Sequence, residues 1–153
     1  MLLKTHLAIT ILAVLVFISA VESKFIFILM AFIGTILPDI DSGFSTIGSY
    51  KILKPLQLFV RHRGLVHSFS FLFLITFTFV LFFPVLAFGF FLGYGLHLLA
   101  DMFSVEGILP FYPLRKKEKG WIKTGSRTET SIFVFFIIAD LLVFFLILKK
   151  FII

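Results

Sequence analysis

Between Gly64 and Phe103 the chain carries a single formal charge, Asp101, and a single proline, Pro84. A run of that length is about twice what one helix needs to cross the roughly 30 Å hydrocarbon core of a bilayer. It can be buried inside a large protein or in lipid, and a chain of 153 residues is too small to surround it. The rest of the composition agrees: 60% of residues are apolar and 14% charged, against about 25% charged in soluble domains. The chain therefore reads as an integral membrane protein. The same distribution removes nucleic acid from the expected partners despite a net charge of +6, because the Lys and Arg residues fall between apolar runs rather than along one solvated face. With no cysteine, disulfides, thiolate zinc sites, iron–sulfur clusters and Cys nucleophiles are excluded.

Pro84 splits the long run into a hairpin of two spans, 64–83 and 85–103. Three further runs, 2–21, 25–37 and 131–148, complete an expected all-α bundle of about five transmembrane spans forming one domain over 1–153, with a short second helix that Pro38 stops. The first 23 residues also fit a signal peptide with a cleavage region at Ser19–Ser23, but their apolar stretch exceeds the usual 7–15 residues. A cytoplasmic N-terminus places Lys4, Lys51, Lys54, Arg61, Arg63, Arg115, Lys116, Lys117, Lys119, Lys123 and Arg127 inside. Only Lys24, Lys149 and Lys150 then lie outside. The positive-inside bias favours that orientation in the cell membrane.

On this topology the scarce polar residues are one-sided. His6 opens the first span, Asp39 and Asp41 follow the second, His62 and His67 flank the start of the third, His97 and Asp101 close the fourth, and Glu129 precedes the fifth. All four histidines and three of the four aspartates meet one membrane face. Each residue has a plain explanation alone. His97 and Asp101, four apart on one helix face, make either a metal-ligand pair or a hydrogen-bonded pair that buries a helix end. Asp39 and Asp41 behind Pro38 suit a turn and cap. His62, between Arg61 and Arg63, suits a basic interface, and His6 suits a snorkelling position. Ser126 to Glu129 reads as a capping box. Asp140 lies roughly 16 Å along the last helix from Glu129 and reads as a buried hydrogen-bonding residue outside the group. Together, up to eight imidazole and carboxylate donors without thiolates suit Zn²⁺ first, and Mn²⁺ or Fe²⁺ as well. That is enough for one ion or two.

The order of these blocks is distinctive: His6, Leu37-Pro38-Asp39-Ile40-Asp41, His62-Arg63-Gly64-Leu65-Val66-His67-Ser68, Gly93 to Asp101 with its His97, Gly107 through Pro110, and Thr124-Gly125-Ser126-Arg127-Thr128-Glu129. The series resembles the YdjM-like family of inner-membrane, metal-dependent hydrolases, the LexA-regulated membrane hydrolase family, over nearly the whole chain. The H-x-x-x-D pair is more distantly similar to zinc-dependent phospholipase C and the related single-strand nucleases. Their second pair, H-x-x-x-E, has no counterpart here, since position 125, four before Glu129, is glycine. A trinuclear zinc cluster is not implied.

The sequence thus leads to a membrane-embedded hydrolase. His6, Asp39, Asp41, His62, His67, His97 and Asp101 are the candidate metal ligands; Asp39 or Glu129 would relay a proton, and Arg63 and Arg127 would stabilise developing negative charge. Membrane lipids are the expected surroundings, and a lipid or other amphiphilic phosphoester is the expected substrate. The rival classes are a metal-ion or proton-coupled transporter, which needs ionisable groups near the midplane such as Asp140, and a non-catalytic regulatory membrane protein. The basic stretch 111–124, centred on Trp121, suits either anionic headgroups or a solvated loop.

Overall fold

The computed structural model describes residues 1–41, 64–114 and 116–152, apart from the side chains of Ile40, Asp41, Phe151 and Ile152. Among the described residues five α-helices carry the fold: α1 (Leu3–Phe17), α2 (Lys24–Ile36), α3 (Phe69–Phe82), α4 (Pro84–Met102) and α5 (Arg127–Ile152). Short 3₁₀ turns extend α1 over Ile18–Ala20 and α2 over Leu37–Asp41. Among the described residues there is no strand, only two isolated bridges, Ser104 with Ile122 and Ile108 with Glu118. Three helical stretches among the described residues are long and apolar enough to cross a membrane, Leu3–Ala20, Pro84–Met102 and Arg127–Lys150, while Phe69–Phe82 is apolar but shorter.

The local sequence explains the boundaries. Pro84 is the first residue of α4, where its missing N–H costs nothing, so the turn between α3 and α4 tightens to Phe83 alone. Ser68 caps α3 by accepting from the Phe71 amide at 3.2 Å, which starts that helix five residues into the apolar run and frees 64–68 as a turn. α5 begins four residues before its apolar run, because Ser126 accepts from the Glu129 amide at 3.3 Å.

α2 and α4 make the most extensive helix contact. It depends on small residues: a Cβ at Gly89 would meet the Phe27 carbonyl oxygen at 2.5 Å, and one at Gly34 the Phe90 carbonyl oxygen at 2.5 Å. In lipid such close approach of backbones is the main source of helix association, since the tails outside are as apolar as the side chains within. The core, Met30, Leu72, Phe90, Tyr94, Leu98 and Ile108, joins α2, α3 and α4 to the loop after α4. A smaller cluster of Val14, Phe27 and Ala31 fixes α1 on α2. α5 packs on α1 and leaves Phe135, Ile138, Leu142, Phe145 and Leu146 exposed, an outer face suited to lipid.

The loop from Phe103 to Ser126 closes on itself. Ile108 and Glu118 exchange backbone hydrogen bonds of 2.9 and 3.0 Å, and Ile122 donates to the Phe103 carbonyl at 3.0 Å. The Pro110 carbonyl accepts from the Phe69 amide at 2.8 Å, tying the loop to the start of α3. Gly107 turns the chain with φ +58°, in the region glycine occupies at no steric cost.

Candidate metal centre

The start of α1, the 3₁₀ turn after α2, the turn before α3 and the end of α4 converge at one end of the bundle. His6, His67, His97 and Asp101 are each about 1% exposed there. Two donor groups form, His6 with His97 and Asp101, and Asp39 with His67 and His97; within each, one ligand atom per residue lies within 4.8 Å of the others. His97 belongs to both. The rings of His6 and His97 stack with centroids 4.0 Å apart, and His67 stands edge-on to His97 at 5.6 Å. Asp101 joins the groups: Oδ1 lies 3.3 Å from His6 Nε2, and Oδ2 lies 3.9 Å from both His67 Nε2 and His97 Nε2. Asp39 Oδ1 reaches His97 Nε2 at 3.9 Å. The Met1 amino group also contacts Asp101 Oδ1, at 2.5 Å.

Whether this set fits a metal ion turns on its nitrogens. His97 Nδ1 lies 2.8 Å from the Thr35 carbonyl; a carbonyl only accepts, so Nδ1 carries the hydrogen and Nε2 keeps its lone pair. That nitrogen and His6 Nδ1 are buried and make no hydrogen bond among the described residues. Burying an unmet polar atom is costly, and fixing one imidazole nitrogen with a backbone carbonyl is how metal-binding histidines are oriented. Imidazole nitrogens and carboxylate oxygens without sulfur form a donor set suited to Zn²⁺, Mn²⁺ or Fe²⁺. The residues fit such an ion. Burial pushes the Asp39 carboxyl above its ordinary range, tempered by the nearby His6 and His67.

The remaining residues singled out by sequence are placed differently. Glu129 belongs to neither donor group. Its Oε1 accepts from the Leu2 amide at 2.5 Å and from the Thr5 hydroxyl at 3.1 Å, and its Oε2 accepts from the Gly125 amide at 2.6 Å. Leu2, the residue before α1, offers no side-chain cap, so one carboxylate from α5 serves the first turns of both helices, where helix dipoles favour negative charge. The capping box is half formed: Ser126 caps as expected, while Glu129 spends its oxygens on Gly125 and α1. Arg127 is exposed in the first turn of α5. The backbone of Asp41 is in the 3₁₀ turn, but its side chain, like all of His62 and Arg63, lies outside the described residues. Asp140 lies elsewhere, 7% exposed, with both carboxylate oxygens buried and no hydrogen-bond partner among the described residues.

Three supporting residues escape a reading for titratable groups. Thr35 holds His97 through its carbonyl, and its own hydroxyl is fixed by Thr10 at 2.7 Å and the Ala31 carbonyl at 2.8 Å. Ser104 donates to the Asp101 carbonyl at 2.8 Å, closing α4 just past the donor. Tyr94, fully buried one turn before His97, donates to the Val66 carbonyl at 2.5 Å and so pins the turn that carries His67. Its position three residues before His97 was the one available signal. Tyr94→Phe, which removes only the hydroxyl, is expected to weaken metal affinity by about 10-fold, the lower end for supporting partners of metal ligands. Competition with a chromogenic chelator checks this, and an unchanged affinity would show that the turn needs no such tether.

An all-helical membrane bundle with a buried His/Asp cluster at one end is thus the class of protein that fold and site define. A family model described as YdjM inner membrane protein matches residues 1–151, and the chain belongs to that family. It is 37% identical over 94 residues to inner membrane protein YdjM of Escherichia coli (strain K12), covering 56% of this chain and 48% of that protein. The protein of the same name from Shigella flexneri matches to the same extent. The chain spans about half the length of these curated relatives. No solved structure matches it.

Proposed function

We propose that this protein is a membrane-embedded, metal-dependent hydrolase, with its site at the cytoplasmic face and a lipid or other amphiphilic phosphoester as substrate. The observation that carries this is the buried cluster of His6, His67, His97, Asp39 and Asp101, in which His97 Nε2 and His6 Nδ1 make no hydrogen bond among the described residues. Zn²⁺ fits first, as one ion or two, and His6, Asp39, His67, His97 and Asp101 are the residues that would hold it. When bound, such an ion polarises a phosphoryl oxygen and lowers the pKa of water towards neutrality. The chain does the rest. His97, tethered by Thr35, and Asp101, closed off by Ser104, hold the donors in place before substrate arrives. Asp39, less enclosed than Asp101 at 15% side-chain exposure against 2%, is the carboxylate able to take a proton at Oδ1 and release it. Arg127, exposed at the start of α5 with Glu129 anchoring that turn, is placed to meet negative charge arriving from the membrane surface.

The cytoplasmic orientation rests on the eleven basic residues that share the site's side of the chain. Since the protein has no cysteine, a single cysteine in place of Lys117 reports it directly. A membrane-impermeant maleimide is expected to label this variant only after the inner membrane is opened; labelling of intact spheroplasts would reverse the topology.

One observation favours a second reading. Asp140, buried within the span Arg127–Lys150 and without a hydrogen-bond partner among the described residues, is the kind of intramembrane carboxylate that ion-coupled transporters use. The decisive comparison measures hydrolysis of phosphodiester lipids and metal flux in the same proteoliposomes, with Asp140→Asn alongside. Hydrolysis that persists in Asp140→Asn, without flux, is the expected result. Flux without hydrolysis, abolished by Asp140→Asn, would establish the transporter instead.

A further inference from the structure

An apolar groove of about 310 Å³ runs between α1, α4 and α5 beside the donor cluster. Ile9, Leu96, Leu99, Phe103, Ile132 and Phe136 form its walls. We infer that it is the slot for one acyl chain of an anionic membrane lipid, holding the lipid with its headgroup at the His/Asp site. The inference rests on the hydrolase reading and specifies how its substrate enters.

Three features select this occupant. The first is position. Every wall residue named belongs to a membrane-crossing stretch or, for Phe103, directly follows one. Leu99 and Phe103, 46% and 58% exposed, form a lip that faces outwards, so the slot opens sideways into hydrocarbon. The second is continuity with the site. Leu96 and Ala100 line the groove while the next residue in each case, His97 and Asp101, is a donor. The groove and the donors therefore share the same last turns of α4. The third is charge. Lys4 lies over the Phe133 ring at 5.0 Å, next to Ile132 of the wall; Lys123 follows Ile122, which also lines the groove; and Arg127 opens α5. Lys4 and Lys123 thus adjoin lining residues, through the Phe133 ring or in sequence, and with Arg127 they are the cationic rim that this inference assigns to the slot.

The physics assigns each part a different task. Bilayer tails are as apolar as the groove, so moving a chain into it gains little transfer energy. The groove supplies position through shape, and the cationic rim supplies selection among headgroups.

The test uses the full-length protein in vesicles containing a trace of phosphatidylglycerol with a diazirine midway along one acyl chain, irradiated and mapped by peptide. Expected is labelling concentrated on Ile9, Leu99 and Phe136, several-fold above Phe77 and Leu142 on the outer faces. It should fall several-fold in Ile132→Trp, which fills the slot, and with a phosphatidylcholine probe, while metal content stays at the wild-type level. Even labelling of all outer faces, or an Ile132→Trp variant labelled like wild type, would mean ordinary surrounding lipid and overturn the inference. Cross-links from these residues to a second copy of the chain would also overturn it. The readout needs no turnover, so the two claims separate. Groove labelling without any hydrolysis refutes the hydrolase reading alone, whereas hydrolysis of a water-soluble phosphodiester with even labelling refutes the groove alone.

Discussion

Asp101→Ala is expected to lower metal affinity by at least about 100-fold, beyond the 10- to 100-fold typical of losing a supporting partner. Its carboxylate faces all three histidines of the cluster: one oxygen approaches His6 at 3.3 Å and the other approaches His67 and His97 at 3.9 Å each. Removing the carboxylate leaves three buried imidazoles with Asp39, beside His67 and His97, as the remaining carboxylate of the two donor groups. His97→Ala should match the loss, because His97 belongs to both donor groups. The measurement is elemental analysis of detergent-purified protein after zinc reconstitution and gel filtration, with Asp101→Asn as a control that preserves volume. Wild-type protein without stoichiometric metal, or an Asp101→Ala variant that retains it, would end the metal-centre reading.

The second large effect lies in the packing that holds the site. Gly93→Ala drives a methyl group into the Ala31 carbonyl and to 2.9 Å from Thr35 Oγ1. Overpacking costs about 1–3 kcal/mol where side chains can give way; here the obstacle is backbone, so the loss should reach the top of that range or exceed it. A marked fall in the detergent melting temperature is expected. Gly95→Ala, whose new methyl meets only Leu72 Cδ2 at 3.6 Å, should melt close to wild type. Gly93→Ala also pushes on the residue whose carbonyl orients His97, so metal affinity should fall with stability. If both alanine variants melt alike, α2 and α4 are not held by close backbone approach.

The contrast between these glycines shows what a sequence exposes and what it hides. Pro84 marks its hairpin because proline acts on its own backbone, and Ser126 marks its cap because the partner amide is three residues away. The gathering of His6, Asp39, His67, His97 and Asp101 was legible for another reason: a bilayer sorts residues by depth, so topology alone places them at one face. Which of them meet was not legible. Gly93 and Gly95 look alike in sequence, yet only one faces α2. Glu129 reads as a local cap, but its partners Leu2 and Thr5 lie at the other end of the chain, and no periodicity encodes so distant a contact. Tyr94 and Thr35 act through a backbone carbonyl, their own or a partner's, and carbonyls leave no trace in residue identity. His62 and Arg63 lie outside the described residues, so their part rests on the sequence.

The carboxylate of Glu129 has one more consequence, for biogenesis. It joins residues 127 positions apart, and all five donors of the cluster are synthesised before it. Before α5 is synthesised, all five donor side chains are already part of the chain, but the first turn of α1 still lacks its cap. Insertion of α5 supplies that cap and brings Ile132 and Phe136 against α1 in the same step. Assembly of this bundle is therefore ordered: the donor residues are laid down first, and α5, which follows them, locks α1 in place and completes the wall beside it.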